Sequence, residues 1–135
     1  MLRIIIGAFV VLHGLVHMLY IGQSWRIFEL QPGLVWPDGS WAFSRLLGNE
    51  SVRLLASLSL GLATLGFVMA GAGIFLGQAW WRPVVIGSAI FSAAIYLFFW
   101  DGSIQRLDEK GGIALLINLA ILAAVAIFSW PDFEI

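Results

Sequence analysis

Two histidines stand one helical turn apart in the first apolar stretch of the chain, and their spacing is the clearest chemical signal in the sequence. At 100° per residue, His13 and His17 share one face of a helix with Tyr20. Two imidazoles at i and i+4 have good spacing for chelation, and imidazole also hydrogen-bonds to oxygen atoms of organic ligands. The pattern is therefore typical of two kinds of site, one that binds a metal and one that binds an organic molecule.

A metal site needs more ligands than this face supplies. Zinc takes three or four protein ligands, whereas the chain has no cysteine and its apolar stretches contain no carboxylate. Two histidines on one helix cannot ligate opposite faces of one haem, so a haem site would need a partner chain. The Glu-x-x-His motifs of di-iron bundles do not occur. We therefore expect no metal at His13 and His17.

Further neutral polar residues occur in the later apolar stretches. Ser88, Ser92 and Tyr96 form an i, i+4 ridge in the third stretch, and Asn118 stands alone in the fourth. In helices of alternating direction, Tyr96 and Asn118 lie in the same half of the bundle as His17, and Ser92 lies near the middle. We predict a polar intramembrane pocket for an amphipath such as a quinone head group, lined by His13, His17, Tyr20, Ser92, Tyr96 and Asn118.

These residues also have a structural interpretation. Ser, Thr, Asn and His commonly hydrogen-bond between membrane helices, at an average of about 0.6 kcal/mol per pair. Ser57 and Thr64 in the second stretch belong to the same class. The sequence leaves ligand binding and interhelical hydrogen bonding both open.

The composition decides where such a chain can fold. Of 135 residues, 61% are hydrophobic and 11% are charged, against about 45–50% and 25% in an average soluble domain. So much apolar surface would leave large exposed patches on a soluble monomer. The net charge of −1 gives no electrostatic basis for nucleic-acid binding. We therefore expect an integral membrane protein that does not bind nucleic acid.

Four uncharged stretches are long enough to cross a bilayer as helices. They cover residues 4–21, 54–76, 83–100 and 113–130. Their helix formers and small residues do not alternate as membrane barrel strands do. The predicted fold is all-α, a four-transmembrane-helix bundle that forms a single domain over residues 1–135.

The connection between the first and second stretches is long and rich in tryptophan. Trp25, Trp36 and Trp41 are predicted to anchor it at the membrane interface, where amphipathic rings are enriched. Residues 41–47 can form a short interfacial helix capped by Ser40. Residues 49–51 are expected to begin the second long helix, and the connection is expected to lie over the polar pocket.

The segment HGLVHML at residues 13–19 resembles the HG-x-x-K-L signature of the DoxX-like membrane proteins, with His17 where that family usually has Lys. The long first connection and the GGIALLINLAILAAVAI segment of the last helix are similar too. The resemblance implies a four-helix membrane protein. Its better-known relatives are subunits of thiosulfate:quinone oxidoreductase or partners of membrane redox systems.

Two classes of function follow from these observations. The first is a quinone-facing or accessory subunit of a membrane redox system, with quinone as the candidate cofactor. The second is a non-enzymatic protein that binds a lipid or another amphipath, or that supports assembly of a larger membrane complex. Small residues at four-residue spacing, such as Ala120 and Ala124, make a homo-oligomer plausible. We expect a multi-pass protein of a prokaryotic cytoplasmic membrane, in contact with its lipids.

Overall fold

Four long helices dominate the computed structural model, which describes residues 1–133. They are α1 (Leu2–Ser24), α2 (Ser44–Phe75), α3 (Trp81–Phe98) and α4 (Ile113–Leu122). Single π-helical turns at Asp108–Gly112 and Ala123–Ile127 extend α4 at both ends, and the described residues contain no strand. With these extensions, all four are long and apolar enough to cross a membrane. The predicted all-helical architecture with four such helices is confirmed.

Helix α2 differs from its predicted bounds because it includes the short segment before Gly48. Gly48 has φ 75° and ψ 161°, a region that is essentially restricted to glycine, and this breaks the helix into two parts. Residues 44–47 form the first part, and the long part begins at residue 49, as the sequence indicated. Ser40 Oγ accepts the backbone N–H groups of Ala42 and Phe43 at 3.1 Å, but these residues form a turn. The predicted short helix begins only at Ser44 and has no side-chain cap, so the capping role predicted for Ser40 is corrected.

Small residues let α1 approach α2 closely. A methyl group added at Gly14 would lie 2.6 Å from Phe67 Cβ, and one added at Gly71 would lie 3.0 Å from the carbonyl oxygen of Gly7. Thr64 Oγ1 donates a hydrogen bond to the carbonyl of Gly14 across the same contact at 3.1 Å. The α1–α2 interface therefore depends on backbone proximity, as is typical of membrane helix pairs.

The bundle is apolar on its outside as well as inside. Phe67, Val85 and Ala89 are fully buried in its core. On the outer faces, Leu12 is 62% exposed and Leu62 is 60% exposed, and many other large apolar side chains are similarly open. This distribution is the reverse of a soluble helix bundle, whose outer faces are polar.

Candidate functional site

Four predicted site residues from three helices form one hydrogen-bonded group, which we call the polar cluster: His13, His17, Ser92 and Asn118. His13 Nε2 lies 2.8 Å from Asn118 Oδ1, and Asn118 Nδ2 lies 2.8 Å from Ser92 Oγ. Ser92 Oγ lies 2.6 Å from His17 Nε2. His13 is 4% exposed and the other three are fully buried. The cluster therefore joins α1, α3 and α4 inside the bundle.

The hydrogen bonds of the polar cluster form a sequence in which the donor and acceptor of each bond can be assigned. His17 Nδ1 lies 3.1 Å from the backbone carbonyl oxygens of His13 and Gly14, which can only accept, so Nδ1 carries a proton. In a neutral imidazole Nε2 is then an acceptor, and Ser92 donates to it. Ser92 in turn accepts from the amide of Asn118, and Asn118 Oδ1 accepts from Nε2–H of His13. This assignment of tautomers and amide orientation gives each of these four hydrogen-bonded contacts one donor and one acceptor.

The side chains of the polar cluster hydrogen-bond to one another. Ser92 donates once and accepts once, and both side-chain atoms of Asn118 have partners. Such a closed set of buried hydrogen bonds is favourable because each unpaired polar group would carry a desolvation cost. The geometry matches interhelical hydrogen bonding, which the sequence left open beside ligand binding.

Helix α2 closes the remaining side of the polar cluster with an aromatic ring that sequence reasoning missed. The ring of Phe67 packs edge-on against His13 with 4.8 Å between centroids and lies 5.5 Å from His17. Phe67 shares a face of α2 with Thr64 and Gly71, both of which contact α1. Its position on this face could have predicted a contact with α1, but the sequence offers no feature that separates one apolar ring from the many others in an apolar stretch.

The two predicted site tyrosines lie toward the loop end and belong to an aromatic group. Trp36 stacks on Tyr96 with 5.5 Å between ring centroids and meets Tyr20 edge-on at 5.0 Å. His17 is in ring contact with Tyr96 at 5.8 Å. The hydroxyl of Tyr96 is buried and has no hydrogen-bond partner in residues 1–133. Tyr20 and Tyr96 thus adjoin the polar cluster through packing.

The first connection caps the carboxyl end of α3, whose last carbonyls would otherwise lack partners. Trp36 Nε1 donates to the carbonyl of Phe99 at 3.0 Å, and Trp41 Nε1 donates to that of Leu97 at 2.7 Å. Ser40 Oγ donates to the carbonyl of Phe98 between them. This contact pins the connection to the end of α3, close to the aromatic group.

The three predicted anchor tryptophans have different environments. Trp36 is 2% exposed, because its ring is enclosed by protein and its N–H donates to a carbonyl of α3. Trp25 and Trp41 are 46% and 58% exposed, and the role of all three tryptophans as interfacial anchors stays a prediction. Trp25 also donates to Ser57 Oγ at 2.8 Å and lies beneath the guanidinium of Arg53. The rings look alike in sequence, but the tertiary contacts separate them.

A cavity of about 570 Å³ opens between the end of α3, the following loop and the start of α4, and we call it the α3–α4 groove. Tyr96 is the one predicted site residue that lines it. Its walls are apolar, and Asp108 and Lys110 lie at its loop end. Lys110 Nζ forms an ion pair with Asp101 at 2.7 Å. No group of three or more residues able to hold a metal occurs within the described residues.

Comparisons with the models of known protein families, with curated proteins and with solved structures found no match to this chain. The resemblance to the DoxX-like proteins therefore stays a prediction.

Proposed function

We propose that this chain is a multi-pass integral membrane protein that binds a membrane-soluble amphipath. Its four apolar helices and their open outer side chains support insertion. A soluble monomer rarely carries contiguous apolar patches above a few hundred Å², whereas lipid tails cover such surfaces at no cost. The proposal includes the prokaryotic cytoplasmic membrane as the location.

One observation carries the binding part of the proposal. The α3–α4 groove is open, whereas the side chains of the polar cluster already hydrogen-bond to one another. Ligand sites typically enclose about 300–1,000 Å³ and combine apolar walls with a few polar groups. The groove, at about 570 Å³, has this size and character. A ligand at the polar cluster would first have to replace hydrogen bonds of 2.6–2.8 Å.

A quinone is a second, narrower candidate, and the hydroxyl of Tyr96 favours it. That hydroxyl is a buried donor without a protein partner in the described part of the chain, and a quinone carbonyl could accept from it. The quinone-facing redox subunit suggested by the sequence is proposed on this basis. A homo-oligomer or a larger membrane complex also stays a prediction.

Extraction in a mild detergent tests the binding proposal. We expect the purified chain to carry a roughly stoichiometric lipid or quinone, identified by mass spectrometry of the organic extract. A quinone would support the redox subunit, and phospholipid alone would support the non-enzymatic alternative. A protein that leaves the membrane in alkaline carbonate, or that retains no amphipath in mild detergent, would contradict the proposal.

Cysteine labelling tests the insertion itself, because the chain has no native cysteine to interfere. Gly39→Cys and Ser103→Cys lie in the two connections at one end of the bundle, and Gln78→Cys lies in the connection at the other end. A membrane-impermeant reagent added to intact cells reaches only the outer side of the membrane, so it should label either the first two variants or the third. Labelling of only one of Gly39→Cys and Ser103→Cys would refute four spans.

A further inference from the structure

The α3–α4 groove has a gradient of polarity along its length. Toward the bundle middle it is bounded by Leu116, which is 66% exposed on the outer face of α4. Toward the loop it ends at Asp108 and Lys110. A molecule that follows the groove must therefore be apolar in one part and polar in the other. This requirement is met by a lipid of the leaflet at the loop end.

The charges beside the groove indicate which head group fits. Lys110 Nζ forms an ion pair with Asp101 Oδ2 at 2.7 Å, and Arg106 Nη1 lies 3.6 Å from Glu109 Oε2. Asp108 is exposed and has no ion-pair partner among residues 1–133. The basic groups of this loop are thus matched, and one negative charge is left at the groove. A cationic group complements that charge, whereas a purely anionic head group would be repelled.

The tryptophans predict that this end of the groove lies at head-group depth. Trp100 lines the groove, and its carbonyl accepts the backbone N–H of Trp41, whose ring is 58% exposed. Partly exposed tryptophan rings concentrate where the bilayer meets water. Asp108 then lies at the level of lipid ammonium groups, and Leu116 at the level of acyl chains.

We propose that the α3–α4 groove binds a phospholipid with an ammonium head group, its acyl chain beside Leu116 and its ammonium at Asp108. The inference rests on the proposed function, of which it names the ligand and the place. Phosphatidylethanolamine is the matching probe. Phosphatidylglycerol has the same acyl chains but lacks the positive charge.

The test is competition between these two lipids for the delipidated full chain, with bound lipid counted by native mass spectrometry. At equal concentrations we expect phosphatidylethanolamine to be enriched on the wild-type protein. Asp108→Asn should reduce the bound ratio by up to about fivefold, the effect of one partly exposed ion pair. Asp132→Asn is the matched control, because that carboxylate is 95% exposed and lies beside Arg82 at the other end of the bundle.

A second pair of variants tests the groove independently of charge. Leu116→Trp fills it and should lower retention of both lipids, whereas Leu119→Trp, at an exposed position outside the groove lining, should not. The inference is overturned if the wild type binds the two lipids equally, or if each variant matches its control. A wild type that retains neither these lipids nor any other amphipath would refute the proposed function as well. Lipid retention that is insensitive to Leu116→Trp would refute the groove alone.

Discussion

Replacing Ser92 by alanine is the sharpest test of the polar cluster. Ser92 lies at its centre, donates to His17 at 2.6 Å and accepts from Asn118 at 2.8 Å. The substitution removes one buried oxygen and leaves the packing of α3 otherwise intact. It therefore breaks the links of α3 to α1 and to α4 without creating a large cavity, and it leaves the bond between His13 and Asn118 in place.

The expected cost follows from what the hydroxyl contacts. Two interhelical hydrogen bonds at an average of about 0.6 kcal/mol each give about 1.2 kcal/mol. The change also leaves His17 Nε2 and one N–H of Asn118 buried without a partner, and each unpaired group costs about 1–3 kcal/mol unless it finds another partner. Allowing for partial rearrangement, we expect a loss of about 1–3 kcal/mol in the free energy of unfolding.

Ser88→Ala is the matched control, one helical turn earlier on the same helix. Ser88 Oγ donates to the carbonyl of Val84 within α3 at 2.8 Å, so its loss breaks no link to another helix. We expect a change within about 0.5 kcal/mol for this variant. Unfolding of the purified protein by sodium dodecyl sulfate, followed by circular dichroism, measures both. Equal effects at Ser88 and Ser92 would refute the polar cluster as an interhelical link.

Two further predictions concern the ends of the helices. Gly48→Ala should lower the free energy of unfolding by about 1–3 kcal/mol, because alanine is strained at φ 75°. Gly61→Ala is the control in the middle of α2, where an added methyl group meets open space, and it should be neutral or stabilising. The same unfolding assay compares them, and a neutral Gly48→Ala would show that the break in α2 is not required. Trp36→Phe keeps an aromatic ring but loses the bond to the carbonyl of Phe99, so it should cost about 0.5–1.5 kcal/mol and expose the end of α3 to faster amide exchange. Unchanged exchange there would contradict the capping role of the first connection.

Local patterns in the sequence were sufficient to predict the helices. Long uncharged stretches can satisfy their backbone hydrogen bonds in lipid only as helices or closed barrels, and their composition favours helices. Helical phase also placed His13 and His17 on one face, because it depends only on neighbours within one or two turns. The alternating direction of the helices put Asn118 in the same half of the bundle as His17 and put Ser92 near the middle.

Tertiary structure decided how those residues are used. Helical phase cannot show whether His17 and Ser92 face a cavity or each other, because a separation of 2.6 Å depends on how closely α1 and α3 pack. Nor can it separate Trp36 from Trp41, since one ring is enclosed and the other is open only after the connection has folded onto α3. The α3–α4 groove is built from residues 96–116, but it opens only because the loop between α3 and α4 leaves space between the two helices. The sequence therefore determined the helices and the polar faces, while interhelical packing determined which polar groups are satisfied and where an open site is left.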